Sequence, residues 1–336
     1  MAARELRVGI AGLGYWGPNL LRVLVEMNGV TVARICDLDE SRLARMDRRY
    51  PGIESTTRFD DLLEDPELDA LLIATPVFTH YELASQSLLA GKHTFVEKPL
   101  APSSTEADEL IELARATERV LMCGLTFLYS PPVRAVKELL NAGALGEIYF
   151  ISSSRVNLGL HQPDVSVIWD LGPHDFSIML YWLDELPTGV QAVARDSIVS
   201  GIPDVAFVDL TFPSGVVAHA ELSWLAPSKL RRTVVVGSEK MVVYDDGSPE
   251  PVRIFDHGVV KDPESFGQYH LSYRTGDIVS PRLDSSEPLA LELDDFFRAI
   301  WRGHPPAGSL ELARNVVRLV EHTEAAIIGG GRLAFA

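Results

Sequence analysis

Cysteine is scarce in this sequence, since only Cys36 and Cys123 occur among 336 residues. Both lie in apolar runs of strand type and are too few for a disulfide framework, so we expect buried free thiols and a reducing, cytoplasmic location. No apolar run reaches the length of a membrane span, and the first residues lack the basic and apolar layout of a signal peptide. We therefore expect neither a membrane segment nor a targeting segment.

The sequence also has few positive charges. It contains 30 Lys and Arg residues and 47 Asp and Glu residues, which gives a net charge of −17. Such a chain is a poor match for nucleic acid or for an anionic membrane surface. An anionic substrate would need Arg, Lys or helix N-termini placed locally. With 46% hydrophobic and 23% charged residues the composition is that of an ordinary globular protein, and the length favours two domains.

Two common catalytic patterns are missing as well. No spacing of His, Cys and Asp indicates a metal site. No G-x-S-x-G sequence is present to expose a nucleophilic serine. We therefore predict neither a metal cofactor nor serine hydrolase chemistry.

The strongest positive signal is a glycine-rich stretch between Leu6 and Val25, which reads as a strand, a tight turn and a helix. Gly12, Gly14 and Gly17 have the G-x-G-x-x-G spacing, in which the glycines permit the turn, the approach of a pyrophosphate and close packing of helix on sheet. The N–H groups at the helix start favour phosphate. Asp37 ends the second predicted strand, where a carboxylate can accept the ribose hydroxyls, and Leu38 beside it offers no compensating charge.

Further strands and helices alternate after Asp37, which predicts a doubly wound parallel sheet with α/β architecture over residues 1–125. The loop from Thr75 and Pro76 to His80 leaves the carboxyl end of one predicted strand, and Glu97-Lys98-Pro99 leaves the end of the next. Open α/β sheets bind ligands at this edge. Because Pro99 restricts the backbone of Lys98, we expect the lysine to be held by a stiff loop.

The second half, residues 126–308, has short alternating segments punctuated by turn residues, which predicts an α+β domain with a mostly antiparallel, open sheet. Residues 256–288 are polar and read as a long loop. A last helix within 309–336 is expected to return and brace the first domain.

Asp170 and His174 lie in the run between this domain's first strand and its antiparallel segments. Gly172 and Pro173 mark a helix start, so we expect His174 in the first helical turn. There the positive end of the helix dipole favours a neutral imidazole, which suits a base. Asp170, four residues earlier, could face the same site.

Four motifs resemble those of the glucose–fructose oxidoreductase/inositol dehydrogenase/MocA family and follow one another along nearly the whole chain. They are Gly12-x-Gly14-Tyr-Trp-Gly17, Ala74-Thr75-Pro76 with His80, Glu97-Lys98-Pro99, and Trp169-Asp170-Leu-Gly-Pro-His174-Asp175. The runs YWGPNL, WDLGPHD and VVGSEKMVVYDD resemble most the bacterial branch near sugar-nucleotide and amino-sugar dehydrogenases. Leu125 departs from that branch, in which His is expected.

This resemblance implies an NAD-dependent enzyme that moves a hydride between nicotinamide and a sugar carbinol or ketone. It implies a catalytic set of Lys98, Asp170 and His174, with His174 as base and Asp170 orienting it; whether Lys98 or His174 takes the proton stays open. The implied NAD contacts are Gly12, Leu13, Gly14, Tyr15, Trp16, Gly17, Asp37, Thr75, Pro76, His80, Glu97, Lys98 and Trp169.

The substrate is expected to be a hexose or amino sugar, and a sugar linked to a nucleotide is favoured over a free sugar. Lys98, Asp170 and His174 are expected to bind it, together with Arg155. Arg155, Lys229, Arg231 and Arg232 form a local basic group that could pair with a pyrophosphate; the alternative is that they are surface charges of the sheet at a subunit interface. A cyclitol or free-sugar dehydrogenase is the first alternative; an NAD-dependent glycosidase and a non-catalytic regulator are the others. The resemblance further implies a homodimer or homotetramer formed through the C-terminal sheet.

Overall fold

The computed structural model describes residues 4–159, 161, 165–261, 271–303, 306, 310–329 and 332–335. The chain forms two compact units. The first unit comprises Met1–Tyr129 and Ser286–Arg318, and the second comprises Ser130–Ser285 and Leu319–Ala336.

The first unit contains a six-stranded parallel sheet with strand order β3-β2-β1-β4-β5-β6. Its strands are β1 (Leu6–Ala11), β2 (Val30–Cys36), β3 (Glu54–Thr56), β4 (Ala70–Ile73), β5 (His93–Glu97) and β6 (Leu121–Gly124). The order reverses between β1 and β4, which places a ligand-binding crevice at the carboxyl ends of these strands. The doubly wound parallel sheet is confirmed.

Helices connect these strands as the alternating pattern predicts. They are α1 (Gly17–Glu26), α2 (Glu40–Arg49), α3 (Asp60–Leu63), α4 (His80–Leu89) and α5 (Ser104–Ala116), with short 3₁₀ helices at Val77–Thr79 and Thr126–Tyr129. Local sequence sets the helix starts: Asp39 accepts a hydrogen bond from the N–H of Ser41 at the start of α2, and Ser103 accepts one from Glu106 at the start of α5.

The second unit contains a nine-stranded sheet with the order β14-β13-β12-β11-β7-β10-β9-β8-β15. Helices α6 (Pro131–Asn141) and α7 (Val167–Leu183) pack against it. Its strands are β7 (Ile148–Leu158), β8 (Gly189–Arg195), β9 (Val205–Thr211), β10 (Val217–Ser223), β11 (Leu225–Gly237), β12 (Met241–Asp245), β13 (Val252–Lys261), β14 (Leu271–Val279) and β15 (Arg332–Ala334). Among the strands that the structure describes in this sheet, only β7 and β10 pair in parallel, so the predicted mostly antiparallel sheet is confirmed.

The predicted loop over residues 256–288 is wrong for residues 256–261 and 271–279, which form strands, whereas residues 280–287 have no regular secondary structure, as predicted. β13 and β14 pair antiparallel and extend the sheet beyond β12, while residues 262–270 lie outside the described part of the chain. The sequence pattern is weak here because β14 is an edge strand whose apolar side chains face solvent: Tyr273 is 78% exposed and Ile278 57%. A strand without a buried face lacks the alternation that identifies strands.

The observed division of the chain also differs from the predicted one, in which the domain boundaries follow residues 125 and 308. Helix α8 (Pro288–Arg302) belongs to the first unit, and α9 (Leu310–Ile328) is divided between units after Arg318. Helix α8 joins the first unit because its Phe296 packs edge-on against Phe95 of β5, with ring centroids 5.8 Å apart. Such a contact between residues 201 positions apart has no signal in the local sequence.

Cys36 and Cys123 are both buried free thiols, as predicted. Within the described ranges, no helix combines the length and the apolar character needed to cross a membrane.

Candidate functional site

The glycine loop between β1 and α1 shows which of its glycines the fold itself requires. Gly12 has a φ of +92°, and a Cβ placed there would lie 2.5 Å from the carbonyl oxygen of Ala74. A Cβ on Gly17 would lie 1.9 Å from the carbonyl oxygen of Gly12. Both distances are shorter than non-bonded atoms tolerate, so Gly12 and Gly17 are needed for the turn and for the packing of α1 on the sheet.

Gly14 is different, because a Cβ there would meet only the Nη1 atom of Arg42, at 3.7 Å. A side chain here would make only an ordinary van der Waals contact, so the fold does not require glycine at this position, whereas a pyrophosphate that approaches the backbone does. The N-terminus of α1 lies just beyond, and no side chain caps it. An uncapped helix start beside an open glycine fits the pyrophosphate of a dinucleotide.

The three residues between these glycines differ in their exposure. Leu13 is fully buried, so its side chain belongs to the core and only its backbone is available to a ligand. Tyr15 is 83% exposed, and Trp16 is half-buried at the N-cap of α1. Of the predicted contacts in this loop, Tyr15 and Trp16 therefore retain side chains that a cofactor can reach.

Asp37 lies directly after β2, with 7% exposure, and its carboxylate is held by three groups. Oδ2 accepts from the N–H of Leu13 at 2.6 Å, Oδ1 accepts from the N–H of Asp39 at 2.9 Å, and the guanidinium of Arg42 lies 3.4 Å from Oδ2. Arg42 was missed in the sequence, where only Leu38 was considered as a neighbour. Since α2 begins at Glu40, its first turn brings Arg42 back to Asp37, and this spacing could have revealed it.

His80 is predicted to bind the cofactor, but the structure places it in the interior, 1% exposed. Its Nδ1 lies 2.8 Å from the carbonyl oxygen of Pro99, and its Nε2 lies 2.9 Å from that of Thr75. Burial lowers the pKa of His80, an effect that the hydrogen bonds to the carbonyl oxygens of Pro99 and Thr75 partly offset. His80 thus joins the Thr75 loop to the Lys98 loop, and this geometry supports a structural role rather than direct contact with a nucleotide.

Thr75 and Pro76 remain at the surface of the same loop. Thr75 is half-buried, and its Oγ1 accepts a hydrogen bond from Thr79 at 2.7 Å, while Pro76 is exposed. Both residues lie directly after β4, at the strand end where the sheet order reverses. Their predicted access to a cofactor is compatible with this position.

Lys98 directly follows β5 and is half-buried, and its peptide bond to Pro99 is cis. Its neighbour Glu97 is buried instead, although it was predicted to contact the cofactor. Burial raises the pKa of Glu97 to about 8, an effect that the nearby charge of Lys98 partly offsets. Gly124 makes room for this side chain, because a Cβ there would lie 3.0 Å from Oε2 of Glu97.

A second buried carboxyl group lies near Glu97. Glu292 of α8 is fully buried, and its Oε2 accepts a hydrogen bond from Thr126 Oγ1 at 2.7 Å. Burial raises the pKa of Glu292 well above its ordinary value, and the charge of Glu97 raises it further. Within the described residues, the Oε1 atoms of both carboxyls have no hydrogen-bond partner. Burial therefore raises the pKa of both carboxyl groups, Glu97 and Glu292.

We expect the protonation of Glu97 to make the stability of the protein depend on pH. The pKa is about 8 in the folded chain and ordinarily 4.5, so the folded state binds more protons between these values and stability falls as pH rises. Glu97→Gln keeps the shape but carries no titrating proton. Its melting temperature should fall less than that of the unmodified protein from about pH 5 to about pH 8.

Glu64→Gln, at an exposed position, is the matched control and should follow the unmodified protein. Parallel melting curves for Glu97→Gln and the unmodified protein over this pH range would contradict the assignment.

In the second unit, Asp170 and His174 lie one helical turn apart on α7, so their side chains share a face. Both are half-buried, whereas most of the helix is buried. Asp170 lies in the first turn, and its Oδ2 accepts a hydrogen bond from Trp224 Nε1 at 3.0 Å. Trp169, predicted to contact NAD, is half-buried beside it.

The predicted start of this helix is wrong. Helix α7 begins at Val167, after Ser166 in extended conformation, and Pro173 lies inside it. His174 is therefore the eighth helical residue, beyond the turn in which the dipole favours a neutral imidazole. Burial of Val167 and Ile168 anchors the earlier start, although a proline inside a helix costs a backbone hydrogen bond.

Arg155 was predicted to bind the substrate, yet its side chain is 4% exposed and forms an ion pair with Asp175 of α7. Its Nε donates to Oδ2 of Asp175 at 2.5 Å. Arg231, its cross-strand neighbour, pairs with Asp246 at 3.0 Å. Burial against α7 thus removes Arg155 from the basic group that was expected to meet a pyrophosphate.

Across the described part of the chain, no group of three His, Cys, Asp or Glu side chains is placed to hold a metal ion.

Comparison with known proteins identifies the family of this chain. Residues 6–125 match an oxidoreductase family with an NAD-binding Rossmann fold, and residues 133–243 match the GFO/IDH/MocA C-terminal domain. The chain is 26% identical over 331 residues to a myo-inositol 2-dehydrogenase of Thermotoga maritima, covering 93% of this chain and 98% of the relative.

A second relative acts on a nucleotide-linked sugar. The chain is 30% identical over 228 residues to a dTDP-3,4-didehydro-2,6-dideoxy-alpha-D-glucose 3-reductase of Streptomyces antibioticus, covering 65% of this chain and 69% of the relative. Among solved structures, GenD2 from gentamicin A biosynthesis, crystallised with NAD, has a TM-score of 0.85 at 23% identity over 100% of this chain and 98% of that chain. This last similarity establishes the fold.

Proposed function

The chain belongs to the Gfo/Idh/MocA family of NAD-dependent oxidoreductases acting on sugar hydroxyls, and from this premise we propose that its substrate is a hexose or amino sugar carried on a nucleotide. One observation carries the reaction type. In the first unit, the open Gly14 lies after β1 and Lys98 lies after β5, both at the carboxyl edge of one parallel sheet. A phosphate-binding backbone and a proton-transferring side chain therefore share the edge at which such sheets bind ligands.

We assign the following role to each proposed catalytic residue. A bound nicotinamide supplies or accepts the hydride. Lys98 takes the hydroxyl proton during oxidation and returns it during reduction, with His174 as the alternative acceptor. Asp170, one turn from His174 on α7, orients the imidazole.

The similarity to the dTDP-sugar reductase supports a nucleotide-linked substrate. Arg155 does not add to this support, because it is buried in an ion pair with Asp175. The specific observation for a cyclitol substrate is that the similarity to the myo-inositol dehydrogenase covers more of the chain, 93% against 65%. The two substrates differ in a testable way, because only the first requires recognition of a diphosphate.

A turnover screen tests the proposal. UDP- and dTDP-linked hexoses and amino sugars are compared with free myo-inositol and free hexoses, following NADH absorbance in both directions. We expect turnover of a nucleotide-linked sugar and inhibition by UDP or dTDP. Fast turnover of free inositol without inhibition by either diphosphate would assign a cyclitol dehydrogenase.

We also expect a preference for NAD over NADP, because the Asp37 carboxylate binds a ribose diol and repels a 2′-phosphate. Asp37→Ala should weaken NADH binding and reduce the discrimination against NADPH, as measured by nucleotide fluorescence titration. Arg42→Ala is the matched control: it removes the cation beside Asp37 and should strengthen the preference for NAD. Equal affinity of the unmodified protein for NADH and NADPH would contradict the role of Asp37.

We propose in addition that the chain forms a homodimer or homotetramer through the open face of the second unit's sheet. Apolar side chains on this face remain exposed, among them Phe150, Phe207 and Val217 at 43–45%. Phe150 and Val217 are cross-strand neighbours, so the apolar surface is continuous between β7 and β10. Light scattering should give a dimer or tetramer mass, and Phe207→Glu should lower it; a monomer mass for the unmodified chain would contradict the proposal.

A further inference from the structure

Trp224 is a buried donor that the sequence did not single out. It directly follows β10, its side chain is 1% exposed, and its Nε1–H donates to Oδ2 of Asp170 at 3.0 Å. An indole nitrogen can only donate, so its natural partner in a buried position is an acceptor such as a carboxylate. The bond joins residues 54 positions apart on two different elements.

The indole of Trp224 is fixed in place by contacts on several sides. Its backbone N–H donates to the carbonyl oxygen of Asp204 at 2.9 Å, and its carbonyl oxygen accepts from the N–H of Gly159 at 3.0 Å. A Cβ on Gly159 would lie 2.9 Å from Cδ1 of the ring, so the glycine backbone packs against the indole. The ring of His161 packs against the indole at a tilt of 57°, with ring centroids 5.2 Å apart. The direction of the N–H is therefore set before any ligand binds.

Asp170 benefits from such a fixed donor. Its backbone N–H is bound to the carbonyl oxygen of Ser166 in the first turn of α7, which fixes the main chain but leaves the side-chain torsions to be set. A charge-assisted hydrogen bond from a fixed donor at 3.0 Å restricts the rotamers that this half-buried carboxylate can adopt.

We propose that Trp224 is a positioning residue that holds the carboxylate of Asp170 in the one orientation used in catalysis. The inference rests on the proposed function of Asp170. Trp224 acts through Asp170 and contacts neither hydride nor proton. The cost of losing it should appear in the chemical step rather than in nucleotide binding.

The test compares Trp224→Phe with Trp182→Phe. Trp182 is a matched control in the same unit, 2% exposed, whose Nε1 donates to the carbonyl oxygen of Val133 at 2.9 Å. We expect Trp224→Phe to lower kcat about 10- to 100-fold with an unchanged Kd for NADH, because a hydrogen bond to a charged group is lost. Trp182→Phe should leave kcat within about twofold. Adding Trp224→Phe to Asp170→Asn should cost little more, since both act on one group.

A measurement without turnover keeps the proposal testable if Trp224→Phe folds poorly. The chain has five tryptophans, whose indole N–H signals are resolved by ¹H–¹⁵N NMR. Asp170→Asn should move the Trp224 signal upfield and leave that of Trp182 in place. An unchanged Trp224 signal, or an unchanged kcat in Trp224→Phe, would overturn the positioning role. Absence of sugar turnover in the unmodified protein would instead count against the proposed function, while the NMR result still decides whether the bond exists.

Discussion

Replacing Lys98 with alanine is expected to abolish sugar turnover while NADH still binds. The side chain is the proposed proton acceptor at the end of β5, and removal of a general acid–base group costs about 10²- to 10⁴-fold in rate. The backbone contacts proposed to hold the nucleotide lie in the glycine loop, so we expect them not to depend on this side chain. NADH fluorescence titration and steady-state turnover measure the two effects separately.

Lys92→Ala provides the matched control for Lys98→Ala. Lys92 lies just before the opposite end of β5, is buried, and donates to the carbonyl oxygen of Leu68 at 2.9 Å. Its loss should lower the melting temperature but leave kcat within a few-fold. If Lys98→Ala retained activity within a few-fold of the unmodified protein, Lys98 would have no catalytic role.

The pair Lys98 and His174 should behave as one unit. We expect His174→Ala to be severely impaired, and Lys98→Ala combined with His174→Ala to cost much less than the sum of the two single losses. Additive losses would show that the two residues act independently. The pH profile of the remaining activity in each single variant would then identify which residue takes the proton.

The second large effect concerns the glycine loop, where one substitution should impair NADH binding and another should impair folding stability. Gly14→Ala is expected to fold normally but to lose NADH affinity at least about tenfold, because its methyl group occupies the space for the pyrophosphate. Gly17→Ala should destabilise the first unit, since its Cβ would lie 1.9 Å from the carbonyl oxygen of Gly12. Melting curves and NADH titrations distinguish the two outcomes.

Gly247→Ala is the control for Gly14→Ala. A Cβ at Gly247 would also meet its nearest atom at 3.7 Å, from Asp245, but it lies after β12 in the second unit. It should affect neither melting nor NADH binding. A large fall in the melting temperature of Gly14→Ala would show that the fold, rather than the ligand, requires this glycine.

Several residues show where sequence patterns lose their predictive value. Asp170 and His174 were identified as neighbours four positions apart, but the start of their helix was misplaced because buried Val167 and Ile168 outweigh the proline signal. Arg155 was assigned to a surface group, although Asp175 of α7 binds it in the interior. In both cases packing between distant elements overrides a local preference.

The sequence by itself determined the glycine loop, the alternation of strands and helices, and the loop that carries Lys98. These features depend on short spacings and on backbone constraints that act within a few residues, so local sequence patterns predict them. Only the tertiary structure decided that Glu97 and His80 are buried, that Arg42 lies against Asp37, and that Trp224 holds Asp170. Burial and the choice of hydrogen-bond partners depend on which surfaces come into contact when the chain folds. Trp224 and Asp170 are 54 positions apart, so no local sequence pattern predicts their contact.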